Sequence, residues 1–430
     1  MRIFHTLAVD DIEKFKHQLL DVSNSVDYFC YLDSNNYPNY PYSTFGSLFA
    51  IDALNVCIEN SNSLEQLHHF QKKQNDWIFG FLNYDLKNEI ESISTSPKID
   101  FIEQPIIHFF VPKFIIKIEN NVVEIGITQP NHLEDFHQLI KKIIVYPSSY
   151  IPSKNEIKHR ISKKEYLLKI EQIKQHIQRG DIYEMNFCQE FYLENKSIQP
   201  VEVFNKLNKL SKAPFTSFYK TEHNYLLCAS PERFLKKQNN VLVSQPIKGT
   251  RKRILHDVKE DNFIKQQLFF DEKERSENVM IVDLVRNDFA RIAQKNSVEV
   301  EELFGIYSFE QVHQMISTIT CKIDTKLSFT DIIRAVFPMG SMTGAPKIAA
   351  MQLIEKYEKN NRGLYSGAVG YLTPKGNFDF NVVIRSILYN SKNKYVSMHT
   401  GSAITIDSNA EKEYEECLLK AKAMFQVLSE

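Results

Sequence analysis

One lysine and one glutamate stand in a setting that could support acid–base or nucleophilic chemistry. Glu232 precedes a strand-like run, and Lys248 follows sixteen residues later between Pro246 and Gly249. Proline and glycine restrict the backbone of a loop, which suits a lysine that is held in place. A lysine amine with a lowered pKa can act as a nucleophile, and a nearby carboxyl can move the proton that the reaction needs. The alternative is a pair of ordinary surface residues, which composition alone favours.

The last predicted helix carries two glutamates that are three residues apart. Glu413 and Glu416 share one face of the run EYEECLLKAKAMFQVL, and carboxylates at this spacing repel unless a cation lies near them. Oxygen ligands suit Mg²⁺, which often shares its ligands with a substrate carboxylate or phosphate. Because Glu411 and Glu415 extend the acidic run, a solvated helix face explains it equally well.

A turn with two glycines leads into another predicted helix, in GSMTGAPKIAAM. Pro346 is predicted at the first helical position, and Thr343, Gly344 and Lys347 surround it. Free N–H groups, the positive end of the helix dipole, a hydroxyl and an ammonium would together attract an anion. The stretch is not a P-loop, since the lysine is not preceded by the required glycine spacing.

A further predicted helix, ERSENVMIVDLVRNDFARIA, carries Glu277 at the border of its buried stripe. Met280, Ile281, Leu284 and Val285 follow Glu277 at helical spacing. Charged residues crowd the next turn, so an ordinary salt-bridged helix is the alternative interpretation.

Strand-like and helical runs must position these residues. FTSFYK, NYLLCAS, RFLKK, VLVSQ, SGAVGYLT, FDFNVVIRSILYN and YVSMHT are typical of strands joined by turns, as are FIIKIE and VVEIGIT earlier in the chain. Two helices are predicted to begin at capping boxes, Ser162 with Glu165 and Ser408 with Glu411, and the first is predicted to end at Gly180. Hairpin-linked strands with long helices predict an α+β fold.

A loop-forming stretch, YPSSYIPSKNEIK at residues 146–158, divides the patterned regions. It predicts an N-terminal region over residues 1–150 and a second domain over residues 151–430, and most of the candidate chemistry lies in the second.

Composition excludes several classes of protein. The 430 residues carry 52 Lys+Arg and 53 Asp+Glu, so no basic excess indicates nucleic-acid binding. The acidic N-terminus lacks an apolar signal region, and the most apolar stretch, residues 105–116, is too short to span a bilayer. The six cysteines form no C-x-x-C pair. We therefore expect a cytoplasmic protein with free thiols and no membrane or nucleic-acid partner.

Six motifs in this order resemble those of the chorismate-utilising enzymes. They are SPERF, PIKGT, EN-x-MIVDL-x-RND, G-S-x-TGAPK, YSGAVGY and a C-terminal E-x-x-E. The resemblance is dense over residues 155–430 and thin over residues 31–46 and 79–86. It implies large antiparallel sheets packed together with helices outside, and chorismate as the substrate.

The resemblance also implies roles for individual residues. Glu277 and Glu416, with Glu413 beside them, match glutamates that bind Mg²⁺, which ties the ring carboxylate of the substrate to the protein. The positions that line the site and hold carboxylates match Thr343, Gly344, Lys347, Tyr365, Arg385 and Gly401. The planar guanidinium of Arg385 suits a carboxylate, which it can bind through two parallel hydrogen bonds.

Lys248 distinguishes the branches of this family. Anthranilate-forming members are similar here but carry alanine at this place, whereas members that aminate chorismate at C4 carry PIKGT. The resemblance implies that Lys248 attacks C2 of chorismate while the C4 hydroxyl leaves with help from Glu232, and that ammonia then adds at C4 and expels the lysine. The product would be 4-amino-4-deoxychorismate, on the route to p-aminobenzoate and folate. Because a neutral amine must attack, burial or a nearby cation should lower the pKa of Lys248.

Two departures from the family pattern fall near the site. Gln314 stands where many members carry a histidine that handles protons during pyruvate elimination, and His313 lies one residue early. A glutamine side chain does no acid–base work near pH 7, which fits an enzyme that stops before elimination. Ser402 and Ala403 stand where glycine is usual, and the methyl group of Ala403 would crowd the substrate.

The expected partners are chorismate, ammonia and a separate glutamine amidotransferase subunit, because no cysteine lies in the G-x-C-x-G setting of a glutaminase nucleophile. The alternative enzyme is an anthranilate synthase component, or one shared by both pathways. Lys248 argues against it, as does YLDSNN in place of an L-L-E-S-like tryptophan motif. A non-catalytic regulatory subunit is a further alternative, which the joint presence of the candidate acid, nucleophile and metal ligands disfavours.

Overall fold

The structure, a computed structural model, describes residues 2–37, 40–43, 46–91, 93, 98–130, 132–141 and 156–429. Its α-helices are α1 Ile12–Val22, α2 Ser63–Gln74, α3 Lys87–Glu91, α4 His132–Lys141, α5 Lys163–Gln178, α6 Pro200–Ser211, α7 Val258–Phe270, α8 Glu272–Ala290, α9 Phe329–Val336, α10 Lys347–Tyr357 and α11 Ala410–Ser429. Short 3₁₀ helices lie at Ser23–Ser25, Tyr84–Leu86 and Gly340–Met342.

The strands are β1 Ile3–Leu7, β2 Tyr28–Asp33, β3 Ser47–Glu59, β4 Ile78–Leu82, β5 Ile107–Glu119, β6 Val122–Ile127, β7 Lys158–His159, β8 Glu184–Leu193, β9 Phe215–Thr221, β10 Asn224–Ser230, β11 Arg233–Gln238, β12 Val241–Gln245, β13 Ile247–Lys252, β14 Glu299–Ser308, β15 Val312–Lys322, β16 Gly344–Ala345, β17 Ala368–Leu372, β18 Phe378–Val382, β19 Ser386–Asn390 and β20 Tyr395–Ile404.

The strands form one antiparallel sheet with two long arms that branch at β5, and β6 and then β1 pair beside the second half of β5. The first arm runs β5–β3–β2–β9–β10–β19–β20–β8, and β16 and β7 pair with β8 at its end. The second arm runs β5–β4–β17–β18–β11–β12–β15, and β13 and β14 pair with β15 at its end. The predicted α+β fold with large antiparallel sheets is confirmed.

The two arms pack against each other through a shared core, and helices cover their outer faces. Cys30 and Leu48 of the first arm lie in one buried cluster with Phe79 and Val369 of the second arm. Helices α1, α4, α6 and α11 bury apolar side chains against the first arm, and α2, α8 and α9 do so against the second. Burial of each apolar side chain of this kind stabilises the fold by about 1.5–3 kcal/mol. The packing of the two arms therefore keeps their ends in place.

Of the two capping boxes that the sequence predicted, the first begins a helix and the second does not. Helix α5 begins after Ser162, whose hydroxyl accepts the Glu165 N–H, and Gly180 follows its end with a φ of +82°. The last helix does not begin at the predicted capping box, because Asn409 Oδ1 accepts the N–H at the first turn of α11 while the Ser408 hydroxyl accepts from Thr405.

The predicted boundary at residue 150 lies outside the described residues, and the division into residues 1–150 and 151–430 stays a prediction. Strands from both parts pair directly, β2 with β9 and β4 with β17. In the described part of the chain, no helix has both the length and the apolar composition that crossing a membrane requires.

Candidate active site

The ends of the two arms meet at Lys248. This lysine lies on β13 at the end of the second arm, and Glu184 is the first residue of β8 at the end of the first arm. Lys248 Nζ donates a hydrogen bond to Glu184 Oε1 at 2.9 Å and lies 3.8 Å from Glu277 Oε2 of α8. One ammonium therefore joins both arms and a helix. No sequence motif indicated Glu184 as a site residue. Only its contact with Lys248 in the folded chain identifies it.

The environment of Lys248 raises its pKa, so the predicted lowering is wrong. Burial alone would lower the pKa of this lysine, but the charges of Glu184, Glu277 and Glu416 and the hydrogen bond to Glu184 outweigh it. The carboxylates stabilise the charged form more than loss of solvent destabilises it. Lys248 is thus an ammonium, and a proton must leave it before the nitrogen can attack.

Glu232 is buried in the turn between β10 and β11. Its Oε1 accepts a hydrogen bond of 2.6 Å from Ser341 Oγ, and its backbone N–H donates to Ser230 Oγ. Burial raises the pKa of Glu232 to about 7, and Ser341 and Lys248 counteract this only in part. A carboxyl with a pKa near 7 can donate or accept a proton at neutral pH, as general acid–base catalysis requires.

Replacing Glu232 by glutamine should change how stability depends on pH. The pKa of about 7 in the folded state lies above the ordinary value of 4.5, so folding binds a proton between these values. The free energy of unfolding should therefore fall as the pH rises from about 4.5 to about 7, by about 3 kcal/mol. Glutamine does not titrate, so Glu232→Gln should lose this part of the slope. Urea unfolding across this pH window measures the difference, and identical slopes would contradict the raised pKa.

The three glutamates predicted to bind magnesium are paired with lysines. Lys273 Nζ lies 3.6 Å from Glu277 Oε1 and 3.9 Å from Glu413 Oε1, and Glu416 Oε1 lies 2.6 Å from Lys420 Nζ. Among the described residues, no three His, Cys, Asp or Glu side chains converge on a preformed metal site. Lysine ammoniums therefore compensate the charge of these carboxylates.

The donor atoms nevertheless fit a hard divalent cation. All are carboxylate oxygens, which Mg²⁺ prefers. Lys273 is 55% exposed, so its ammonium can move to solvent and leave the space between Glu277 and Glu413 to another cation. Burial raises the pKa of Glu277, and the charges of Lys248 and Lys273 oppose this only in part, so the carboxylate gains from further positive charge.

Thr343 and Lys347 are engaged inside the fold. Thr343 Oγ1 lies 3.1–3.2 Å from the backbone carbonyl oxygens of Gly340 and Met339, and Lys347 Nζ donates to Asp288 Oδ2 at 2.5 Å and to two backbone carbonyls. The predicted anion cradle therefore lacks its two side-chain donors, and the helix it precedes begins at Lys347, one residue after the proline. The assignment of Thr343 and Lys347 to substrate binding stays a prediction. Their side chains could contact a substrate only if these internal hydrogen bonds broke.

Gly344 and Gly401 allow close approach of neighbouring backbone to β8. Gly344 has a φ of +148°, and a Cβ there would lie 2.2 Å from the carbonyl oxygen of Glu184. A Cβ at Gly401 would lie 2.5 Å from Cys188 Sγ. Larger residues at these two positions would displace β8, the strand that carries Glu184. Both glycines therefore influence the site by setting the position of the β8 backbone.

Arg385 interrupts the predicted strand FDFNVVIRSILYN. It lies between β18 and β19 with a φ of +52°. Among the described residues its side chain makes one hydrogen bond, in which Nη1 donates to the backbone carbonyl of Lys420 at 3.2 Å. Burial lowers the pKa of Arg385, and Tyr365 and Glu416 counteract the effect in part. The remaining guanidinium donors are available to bind a carboxylate.

Tyr365 is buried beside a histidine that the sequence did not indicate. Its ring stacks on His399 with centroids 5.1 Å apart, and its hydroxyl lies 3.8 Å from Cys188 Sγ. The nearby Asn360 donates to His399 Nε2 at 2.7 Å, so the histidine is held as a packing partner of Tyr365.

Gln314 and His313 point to opposite faces of β15, as neighbours on a strand do. His313 bonds Asp261 Oδ1 and Ser308 Oγ at 3.0 and 2.8 Å, whereas Gln314 is buried with no hydrogen-bond partner at Oε1 among the described residues. His313 therefore cannot take over the position of Gln314. The predicted crowding by Ala403, which pairs with Asn186, stays a prediction.

Comparisons with known proteins identify the family of this chain. A family model described as chorismate binding enzyme matches residues 38–426. Aminodeoxychorismate synthase component 1 of Escherichia coli is 32% identical over 349 residues, which cover 81% of this chain and 76% of that protein. The protein of the same name in Salmonella typhimurium is 39% identical over 264 residues, 61% of this chain, and the match spans 57% of its length.

Solved structures share the fold. Anthranilate synthase component I from Streptococcus pneumoniae superposes with a TM-score of 0.78 at 25% identity, over 90% of this chain and 95% of that one. The menaquinone-specific isochorismate synthase of Escherichia coli superposes with a TM-score of 0.80 over 100% of this chain and 94% of that one. At 17% identity the second likeness concerns the fold alone.

Proposed function

The chain belongs to the chorismate-binding enzyme family, and from this premise we propose that it converts chorismate and ammonia to 4-amino-4-deoxychorismate. The observation that carries the proposal is Lys248, whose side chain is 11% exposed at the junction of the two arms and faces carboxylates on β8 and α8. Relatives named aminodeoxychorismate synthase component 1 support the same reaction.

The proposed reaction proceeds through two allylic displacements. The Lys248 nitrogen forms a bond to C2 of chorismate, both ring double bonds shift, and the C4 hydroxyl departs. The proton that the lysine gives up balances the proton that the leaving hydroxyl takes. Glu232, with a pKa of about 7, supplies the proton that lets the hydroxyl leave as water. Ammonia then bonds to C4, both double bonds return to their original positions, and the C2–nitrogen bond to Lys248 breaks as that nitrogen takes up the proton that the added ammonia gives up. The sum is chorismate plus ammonia giving the 4-amino product plus water, and the lysine is regenerated.

Glu277, Glu413 and Glu416 would hold Mg²⁺, which would fix the ring carboxylate of chorismate and neutralise the charge around it. Arg385 is proposed to bind the other substrate carboxylate, since its guanidinium is half-buried near Tyr365 and donates one side-chain hydrogen bond within the described part of the chain. These residues orient the substrate so that C2 lies before the nitrogen of Lys248 and C4 before Glu232.

A second candidate is the anthranilate synthase reaction, which the likeness to the Streptococcus pneumoniae structure favours. Lys248 and Gln314 both disfavour it, the first as a nucleophile and the second because its amide cannot move a proton. Incubation of the purified chain with chorismate, Mg²⁺ and an ammonium salt decides between them. We expect mass spectrometry and chromatography to identify the 4-amino isomer, and anthranilate as the main product would contradict the proposal.

The ammonia source is a further prediction. Glutamine alone should not support the reaction of the purified chain, whereas ammonium at alkaline pH should, because free NH₃ is the nucleophile. All six cysteines are buried free thiols outside a glutaminase motif. We propose that a separate amidotransferase delivers ammonia in the cytoplasm, for p-aminobenzoate and folate formation, and the name component 1 of the relatives fits a second component. Glutamine-dependent turnover by the chain alone would contradict this prediction.

A further inference from the structure

We propose that Glu184 is a catalytic residue of this site, which holds the Lys248 nitrogen in the orientation that attack on chorismate requires. The inference rests on the proposed function, since it takes the Lys248 nitrogen as the reacting atom. No sequence motif assigned a role to Glu184, and its contact with Lys248 is the shortest that this lysine makes with a carboxylate among the described residues.

The burial of Glu184 is unusual for a residue without a function. The residue is 1% exposed, and charged side chains are almost never that buried unless they are paired. Its Oε1 accepts from Lys248, but its Oε2 is buried with no hydrogen-bond partner among the described residues. A buried polar atom left without a partner costs about 1–3 kcal/mol. A carboxylate kept at this cost, with one oxygen on the nucleophile, calls for a functional explanation.

The backbone of Glu184 is fixed on both sides. Glu184 pairs with Ala345 of β16, and the next residue, Met185, pairs with Ile404 of β20. The turn at Gly344 approaches so closely that a Cβ there would lie 2.2 Å from the carbonyl oxygen of Glu184. The backbone of Glu184 therefore has little freedom to move, and its carboxylate provides a fixed acceptor for the Lys248 nitrogen.

The backbone of Lys248 is less regular. The pairing of β13 with β15 shifts register between Ile247 and Thr250, and Gly249 has a φ of +90°. Irregularities of this kind change the direction in which a side chain points and interrupt the hydrogen bonds between neighbouring strands. The lysine has four rotatable bonds as well, so a rigid acceptor at its end is needed to define where the nitrogen points.

Glu277 does not supply this restraint. Its nearest oxygen lies 3.8 Å from Lys248 Nζ, which is an ion-pair distance and too long for a hydrogen bond, and it also faces Lys273. The directional contact belongs to Glu184 at 2.9 Å. Holding the nucleophile in a reactive orientation before the substrate arrives lowers the entropy cost of attack.

The test measures covalent trapping of Lys248 by chorismate in the absence of ammonia. Attack forms the carbon–nitrogen bond and releases water, so the peptide containing Lys248 gains the mass of chorismate less one water. In Glu184→Ala we expect adduct formation at the optimum of the pH profile to slow by about 10- to 100-fold, the range for loss of a hydrogen bond to a charged group. Each protein is compared at its own optimum because loss of the Glu184 charge also lowers the pKa of Lys248. Glu184→Gln retains an acceptor oxygen and should be slowed less, and chorismate affinity should remain near that of the parent.

Glu190→Gln is the matched control. Glu190 is also buried on β8, but it accepts hydrogen bonds from Arg160, Tyr395 and Ser397. Its replacement should lower thermal stability without slowing adduct formation in the folded protein, which circular dichroism checks for each variant. Equal slowing in Glu190→Gln and Glu184→Gln would overturn a specific role for Glu184.

The other outcomes separate this inference from the proposed function. An adduct that forms at the parent rate in both Glu184 variants would overturn the inference while leaving Lys248 as the nucleophile. A changed Mg²⁺ requirement with unchanged adduct formation would overturn it too, because Glu184 would then act on the metal. Absence of any adduct in the parent protein would overturn both the covalent path and the role of Glu184.

Discussion

Lys248→Ala should lower formation of 4-amino-4-deoxychorismate by at least about 1,000-fold, because the variant has no nucleophile for the first displacement. The variant also tests whether ammonia can attack C2 directly once the lysine is absent. We expect the residual product, if any forms, to carry its amine at C2. Product analysis by chromatography and mass spectrometry measures both the rate and the position of amination.

Removal of Lys248 leaves Glu184 and Glu277 buried without their shared cation, and such a loss destabilises a protein by about 3–5 kcal/mol. Lys248→Arg is therefore the second variant. Arginine keeps the positive charge between the carboxylates but stays protonated and cannot attack. We expect Lys248→Arg to fold, to bind chorismate and to make no 4-amino product.

Lys252→Ala, at an exposed position at the end of the same strand, is the matched control and should retain parental activity. The opposite outcome would be a Lys248→Ala variant that still makes 4-amino-4-deoxychorismate at close to the parent rate. The lysine would then act only as a positive charge beside the substrate.

Glu277→Gln and Glu416→Gln should each lower turnover by about 100-fold or more at ordinary Mg²⁺, because both carboxylates are proposed ligands of a cation that orients the substrate. The motive is their position around Lys273 and Lys248, where carboxylates on α8 and α11 converge on the same positive charges. In both variants, the Mg²⁺ concentration that gives half-maximal activity should rise.

Glu415→Gln is the control for this pair, since Glu415 lies on the same helix but its charge lies near Lys163 and not near Lys248, so the variant should not respond to the metal. Binding of Mg²⁺ with chorismate can also be followed by the rise in melting temperature, which does not depend on turnover. Near-normal activity in Glu277→Gln and Glu416→Gln, with an unchanged Mg²⁺ requirement, would refute their assignment as ligands.

The sequence by itself determined the features that depend on neighbours along the chain. Alternating apolar residues predicted strands such as β9 to β12, and Ser162 with Glu165 predicted the start of α5, because pleat and helix periods act over a few residues. Ordered motifs were sufficient to identify the family and the positions of Glu232, Lys248 and Glu277. Such motifs report which residue types are present, and they carry no distance between them.

Only the tertiary structure decided how these groups act on one another. Glu184 and Lys248 are 64 residues apart in sequence, and they meet because the two arms of the sheet bring their ends together. That contact reverses the predicted direction of the Lys248 pKa, while contacts of α8 and the Gly340–Met342 turn occupy Lys347 and Thr343. Coulombic and hydrogen-bond energies depend on distance and burial, so pairing between remote segments, which no local pattern encodes, sets the charge and the free donors of this site.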